Sequence, residues 1–342
     1  MSERLAELQH WLADELGFGD FTIEPASSDA SFRRYFRVTS GKTSQIVMDA
    51  PPDKEDCGPF ISIASILADL GLNVPLILEA DLRRGFLLMS DLGSVHYLQA
   101  LNEQNVERLY GDALHALRLL QTVPVEDAGI PDYDRDLLLR EMALFRDWYL
   151  GRHLQLTMSE ALSEVLEQSF AFLAEAALSQ PRAWVHRDYH SRNLMVTEMS
   201  NPGILDFQDA VIGPLTYDLV SLLRDCYVRW PQERVMGWVR DYLAISQANG
   251  LLSGIKLQQF QRWFDLMGVQ RHLKAIGIFA RLNYRDGKPG YLPDIPRTLG
   301  YVFEVSGRYA ELSPLRRLLA ELMPACLPVI FVSFCLIIFC WS

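Results

Sequence analysis

The hydrophobic rhythm of the chain changes near residue 100. Before that point apolar residues come in short runs broken by turn residues, and after it they recur at helical spacing. The chain opens with Leu5, Leu8, Trp11, Leu12 and Leu16 on one face of an amphipathic helix. Residues 18–39 then read as strand, loop, strand, with Phe21-Thr22-Ile23 before the loop and Tyr35-Phe36-Arg37-Val38 after it. Gln45-Ile46-Val47-Met48-Asp49-Ala50 is a third strand, stopped by Pro51-Pro52. A helix over 60–70 leads to two more strands, 74–80 and 85–93, with a turn at 81–84. Helical spacing then dominates 106–120, 137–149, 158–178 and 256–282, interrupted by a polar hairpin over 185–209. The pattern predicts an α+β protein with a β-rich region over 1–92 and a larger helical region over 93–324.

The hairpin carries the chemistry. Val185-His186-Arg187-Asp188-Tyr189-His190-Ser191-Arg192-Asn193 is followed by the apolar pair Ile204-Leu205 and then Asp206-Phe207. Phosphoryl transfer needs a base near the acceptor hydroxyl and oxygen ligands for the Mg²⁺ that bridges nucleotide phosphates. In this order Asp188 is the candidate base, and Asn193 and Asp206 are the candidate metal ligands, Asp206 placed as the Asp of DFG is in protein kinases. Singly, Asp206 reads more simply as a strand-end Asp in a turn; with Asp188 and Asn193 it does not. His186 and His190, four apart, would suit zinc on a helix, but the surrounding residues read as loop and no Glu lies between them.

Candidate nucleotide contacts lie earlier. The loop 26–34 is rich in Ser where a kinase loop is rich in Gly, and Ser28 and Ser31 still let backbone N–H groups approach a phosphate, with Arg33 and Arg34 adding charge. A hairpin turn with solvent-facing arginines is the bland alternative. In a kinase the third strand ends in a Lys that pairs with a helix Glu. Here Asp49 lies near that place and the helix over 60–70 has no Glu, so the phosphate contact falls to Arg33, Arg34 or Lys54. Met89 to Asp91 reads as a hinge whose backbone groups pair with an adenine edge. Asp218 is expected to cap a helix or brace the catalytic loop.

Arg271, Lys274 and Arg281 form a basic stripe on an otherwise apolar helix, which suggests charge with a buried partner; a solvated face is the alternative. The net charge of −11 argues against nucleic acid as a partner. Five Cys without a CxxC pair imply neither a disulfide framework nor structural zinc and suit a reducing cytoplasm. No signal-like segment follows Met1. Residues 325–342 carry no charge, and their apolar run is at the short limit for a bilayer span; the tail is read as non-native or membrane-associated.

Taken together these residues resemble the aminoglycoside phosphotransferase and choline kinase superfamily. Within it, the stretches 27–35, 47–52, 205–210 and 267–274 are similar to the bacterial anomeric sugar kinases that phosphorylate N-acetylmuramate and N-acetylglucosamine. The resemblance covers about residues 5–323. It implies a bilobal protein-kinase-like fold with a small β-rich N-lobe, ATP and Mg²⁺ as cofactors, and a cytoplasmic monomer in peptidoglycan recycling. It also implies transfer to the C1 hydroxyl of an amino sugar, and the basic stripe of Arg271 and Lys274 suits an acceptor that bears a carboxylate. A choline or aminoglycoside kinase, which would recognise a cation, and a non-catalytic kinase-like scaffold are the alternatives.

Overall fold

The computed structural model describes residues 3–28, 32–125 and 129–322, with only the backbone of Ser27 and Ser28. Ser31, the Ser28 side chain and the apolar tail lie outside the described residues. In chain order the elements are α1 (Glu3–His10), a π turn (Trp11–Glu15), β1 (Thr22–Ser28), β2 (Arg34–Ser40), β3 (Thr43–Asp49), α2 (Gly58–Asp69), β4 (Ile77–Asp81), β5 (Phe86–Ser90), α3 (Tyr97–Ala100) and α4 (Val106–Leu120). Then come α5 (Arg135–Leu144), a second π turn (Phe145–His153), α6 (Glu160–Leu178), β6 (Arg182–Val185), β7 (Leu194–Met195), β8 (Gly203–Ile204), β9 (Val211–Pro214), α7 (Tyr217–Leu223), α8 (Gln232–Ala248), α9 (Leu257–Asp286), α10 (Ile295–Ser306) and α11 (Ser313–Leu322).

The chain divides into two compact units. The first holds the residues up to Leu120 together with Arg192–Asp209, and the second holds Gln121–Ser191 and the chain from Ala210 onward. The change of rhythm near residue 100 therefore does not coincide with the division: α3, α4 and the β7–β8 hairpin cluster with the sheet.

In the first unit an antiparallel sheet runs β1-β2-β3-β5-β4. Side chains alternate across a strand, so the register assigns faces. Phe36, Val47 and Leu88 are partners across β2, β3 and β5, and with Val38 and Phe86 they pack under Leu8, Trp11 and Leu12 of the N-terminal helical segment. On that same face Asp49, fully buried, accepts from Arg4 and Arg34. Two guanidiniums on one buried carboxylate fasten α1 to the sheet; removing one partner of such a group typically costs about 3–5 kcal/mol. The opposite face carries Tyr35, Met48 and Leu87 in one row and Arg37, Ile46 and Met89 in the next. Asp49 thus lies on the face of β3 opposite Ile46 and Met48 and is committed to Arg4 and Arg34. The β4–β5 turn needs Gly85, with φ +72° and the Ala50 carbonyl 1.8 Å from where a Cβ would sit.

The second unit is built around α9, three residues longer than its apolar spacing suggested, which packs against α5, the second π turn, α6, α7 and α10. Gly277 permits a close approach to α5, since a Cβ there would lie 2.3 Å from the Leu144 carbonyl carbon. That approach draws the Arg271 and Lys274 turns of α9 into the interior: these side chains' residues are only 5% and 7% exposed. The solvated-face reading of the stripe fails for both. Within this unit β6 pairs antiparallel with β9. Among the described residues no helix is long and apolar enough to cross a membrane.

Candidate active site

β6 delivers the chain into the loop that holds Asp188. Arg187 has φ +75°, an unusual conformation for a residue with a side chain, and the loop is held in it from below. The Asp218 carboxylate accepts the His186 N–H at 2.6 Å and the Arg187 N–H at 3.0 Å. The Asp225 carboxylate accepts from the Ser191 N–H at 2.9 Å and the Tyr227 N–H at 2.8 Å. Asp218 therefore braces the loop, as one of its two expected roles required; it sits inside the first turn of α7 rather than capping it. Burial pushes its carboxyl up to about 7 against the pull of the two N–H groups and Arg271.

The Asp188 side chain is 43% exposed, so an acceptor can reach it. Desolvation works to raise its pKa, but Lys274 foremost, then His190, Arg271 and Arg187, outweigh it and hold the carboxyl below the usual carboxylate range. Ionised at neutral pH, it can accept a proton from a hydroxyl. The cations around it are themselves organised by Glu141, a buried carboxylate on α5. Lys274 Nζ lies 3.0 Å from a Glu141 oxygen and donates at 3.0 Å to the Tyr217 hydroxyl. Arg187 also pairs with Glu141, and the Tyr133 hydroxyl donates to it. Arg271 reaches the Cys226 sulfur at 3.6 Å, while its Nε has no hydrogen-bond partner among the described residues. A buried donor left without an acceptor costs about 1–3 kcal/mol and marks a place where an incoming acceptor would be favoured.

In the first unit, β7 and β8 form a two-stranded hairpin that brings Asn193 and Asp206 together. Leu194 pairs with Ile204, and the Leu205 N–H donates to the Asn193 carbonyl at 2.9 Å. Just outside that pairing the Asn193 amide donates to Asp206 at 3.1 Å, and the Gln208 amide donates to the other Asp206 oxygen at 2.8 Å. Asp206 has φ +63°. The following Phe207 stacks on Phe60 of α2 at 4.9 Å, which fixes the turn. The Asp206 carboxylate with the Asn193 side-chain amide next to it is a donor set of the type that suits Mg²⁺, which is held by one or two carboxylates together with phosphates and water; here the amide presents its N–H to the carboxylate, and ligation would need its oxygen turned in. No group of three or more His, Cys, Asp or Glu among the described residues makes a self-sufficient metal cage.

Asn193 and Asp206 line a cavity of about 330 Å³ in the first unit. Its sheet wall is the face carrying Tyr35, Arg37, Ile46 and Met89, and the segment 90–94 completes it. Met89 and Asp91, the expected hinge residues, both line this cavity. The Ser90 N–H, however, is taken by the Leu76 carbonyl, and the Asp91 carboxylate is engaged by Arg37 at 2.6 and 3.0 Å, by Ser44 and by the Gly93 N–H. Arg33 and Arg34 do not line the cavity: Arg33 pairs with Glu55 at 3.1 Å and Arg34 with Asp49. Sequence reasoning missed Arg37, legible in the Tyr35/Arg37 alternation of β2. It also missed Glu141 and Asp225, which carry no local signal because their partners lie far along the chain.

The profile of the phosphotransferase enzyme family matches residues 22–253, well over half of the chain. The chain belongs to the phosphotransferase enzyme family. Among relatives of this phosphotransferase, the N-acetylmuramate/N-acetylglucosamine kinase of Pseudomonas putida is 49% identical over 329 residues, covering 93% of this chain and 96% of the relative. That of Pseudomonas aeruginosa is 50% identical over 330 residues, covering 93% and 97%. Among solved structures, the GDP complex of aminoglycoside 2'-phosphotransferase-IIIa superposes with a TM-score of 0.61 at 15% identity, covering 90% of this phosphotransferase and all of that chain. Choline kinase from Cryptosporidium parvum gives a TM-score of 0.61 at 12% identity, covering 92% and 99%. At these identities the likeness is one of fold: α+β and protein-kinase-like, as the resemblance implied.

Proposed function

We propose that this phosphotransferase is an ATP-dependent sugar kinase that phosphorylates the anomeric hydroxyl of N-acetylmuramate and N-acetylglucosamine, in the cytoplasm, in the recycling of peptidoglycan. The observation that carries the reading is the identity of about half of all residues, over nearly the whole chain, to kinases named for these two sugars. In this reading the cavity of the first unit takes the nucleotide, with Met89 and Asp91 at the base. Asn193 and Asp206 hold Mg²⁺, which neutralises charge on the phosphates. Asp188 accepts the proton of the C1 hydroxyl as its oxygen bonds to the γ-phosphorus and the bond to ADP breaks.

For the acceptor, Arg271 with its unsatisfied Nε is the cation best suited to the lactyl carboxylate of N-acetylmuramate, whereas Lys274 is already shared between Glu141 and Tyr217. The test is ATP consumption across amino sugars, sugar acids, choline and aminoglycosides, followed by phosphate placement by NMR. N-acetylmuramate and N-acetylglucosamine should be the best acceptors, each giving a 1-phosphate. The variant Arg271→Ala should lose about tenfold or more in kcat/KM for N-acetylmuramate, and less for N-acetylglucosamine. Turnover of choline alone, or a phosphate on another hydroxyl, would end this proposal.

A further inference from the structure

The strand that carries the phosphate-binding Lys in a protein kinase presents no cation here. On the cavity face of β3, Met48 stands fully buried between Tyr35 and Leu87, two residues beyond the cavity-lining Ile46. The nearby arginines of the sheet are committed elsewhere. Arg34 serves Asp49 on the other face, and Arg33 serves Glu55. Arg37, although on the cavity wall, donates to both Asp91 oxygens and, at 2.8 Å, to the Gly93 carbonyl, which makes it a clamp on the 90–94 segment. A nucleotide's phosphates would enter a cavity whose walls already carry two carboxylates, Asp91 and Asp206.

The second guanidinium lining this cavity is Arg192. It directly precedes Asn193, so the hairpin that presents the two candidate metal ligands presents a fork-shaped cation beside them. Guanidinium matches phosphate geometry with two parallel hydrogen bonds, which a lysine cannot offer.

We propose that Arg192 binds the nucleotide's phosphates, in the role that the β3 lysine fills elsewhere. The proposal rests on the reading of this cavity as the nucleotide site. Adenosine and ADP discriminate the two, since only ADP carries phosphate. Calorimetric titrations in Mg²⁺ would use the full chain as wild type, Arg192→Met, Arg192→Lys and Arg37→Met. Arg192→Met should weaken ADP by about tenfold or more, the usual weight of one charge-assisted contact, and leave adenosine unchanged. Arg192→Lys, which keeps the charge but not the paired hydrogen bonds, should recover only part of the loss. Arg37→Met should weaken adenosine and ADP alike, because it loosens the 90–94 segment. Equal losses for both ligands in Arg192→Met, or undiminished ADP binding, overturn the proposal. If Arg192→Met does not fold, Arg192→Gln is read by the same ratio. A wild type that binds neither ligand sinks the nucleotide-site reading, and this proposal with it.

Discussion

Replacing Asp218 by Asn tests the brace under the catalytic loop. The carboxylate accepts two backbone N–H groups, at 2.6 and 3.0 Å, from the residues that carry the chain into Asp188, and one of them belongs to Arg187 at φ +75°. An amide can accept only one of the two, and its NH₂ then faces the other N–H. One charge-assisted hydrogen bond is lost, about 1.5–3 kcal/mol, and if half of that appears as misplacement of Asp188, kcat falls by about three- to tenfold. Stability carries a second, sharper signature. Because the folded carboxyl is pushed up to about 7 from an ordinary 3.8, the folded state binds a proton that the unfolded state does not between those values. Wild-type stability therefore rises as pH falls through 7, while the Asn variant has no such proton to bind. Between about pH 7.5 and about pH 5.5 the wild type should gain about 2 kcal/mol over Asp218→Asn, from about 1.5 pH units at about 1.4 kcal/mol each. Urea unfolding at the two pH values measures the gap, and steady-state kinetics measures kcat. A gap that does not change with pH, or a variant with unaltered kcat, refutes the reasoning.

Asp188→Asn should lower kcat by about 10²- to 10⁴-fold while ADP affinity and melting temperature stay near wild type, because proton acceptance is removed without a change in volume. Asp206→Ala should abolish the Mg²⁺ dependence of ADP binding in calorimetry, and Asn193→Ala should reduce it less, since water can replace a neutral ligand; equal dependence in both variants and wild type would contradict the metal assignment. Lys274→Met removes the charge that does most to depress Asp188, so the acidic limb of the pH–rate profile should move to higher pH. It should also cost about 3 kcal/mol in stability or less, because Glu141 keeps Arg187.

What the chain reveals unaided is local. Strand alternation and helical spacing depend on neighbours a few residues away, so the five strands of the sheet and the helices α4, α6 and α9 could be read directly. The same holds for the roles proposed for Asp188, Asn193 and Asp206, which rest on their spacing around one hairpin. The elements that differed from the sequence reading all depend on partners distant in the chain. Which face of β3 meets the cavity is decided by pairing with β2 and β5 and by Arg4 and Arg34 reaching Asp49, so Ile46 and Met48 share the cavity's face and Asp49 does not. Arg33 and Arg34 looked like phosphate ligands because sequence shows charge but not the carboxylate that neutralises it. Glu141 sits 46 residues before Arg187, and Asp225 sits 34 residues after Ser191. Nothing in the chain marks either one out among 43 acidic residues. Buried charge is stable only where the fold supplies its partner, and that pairing exists only once distant helices have packed.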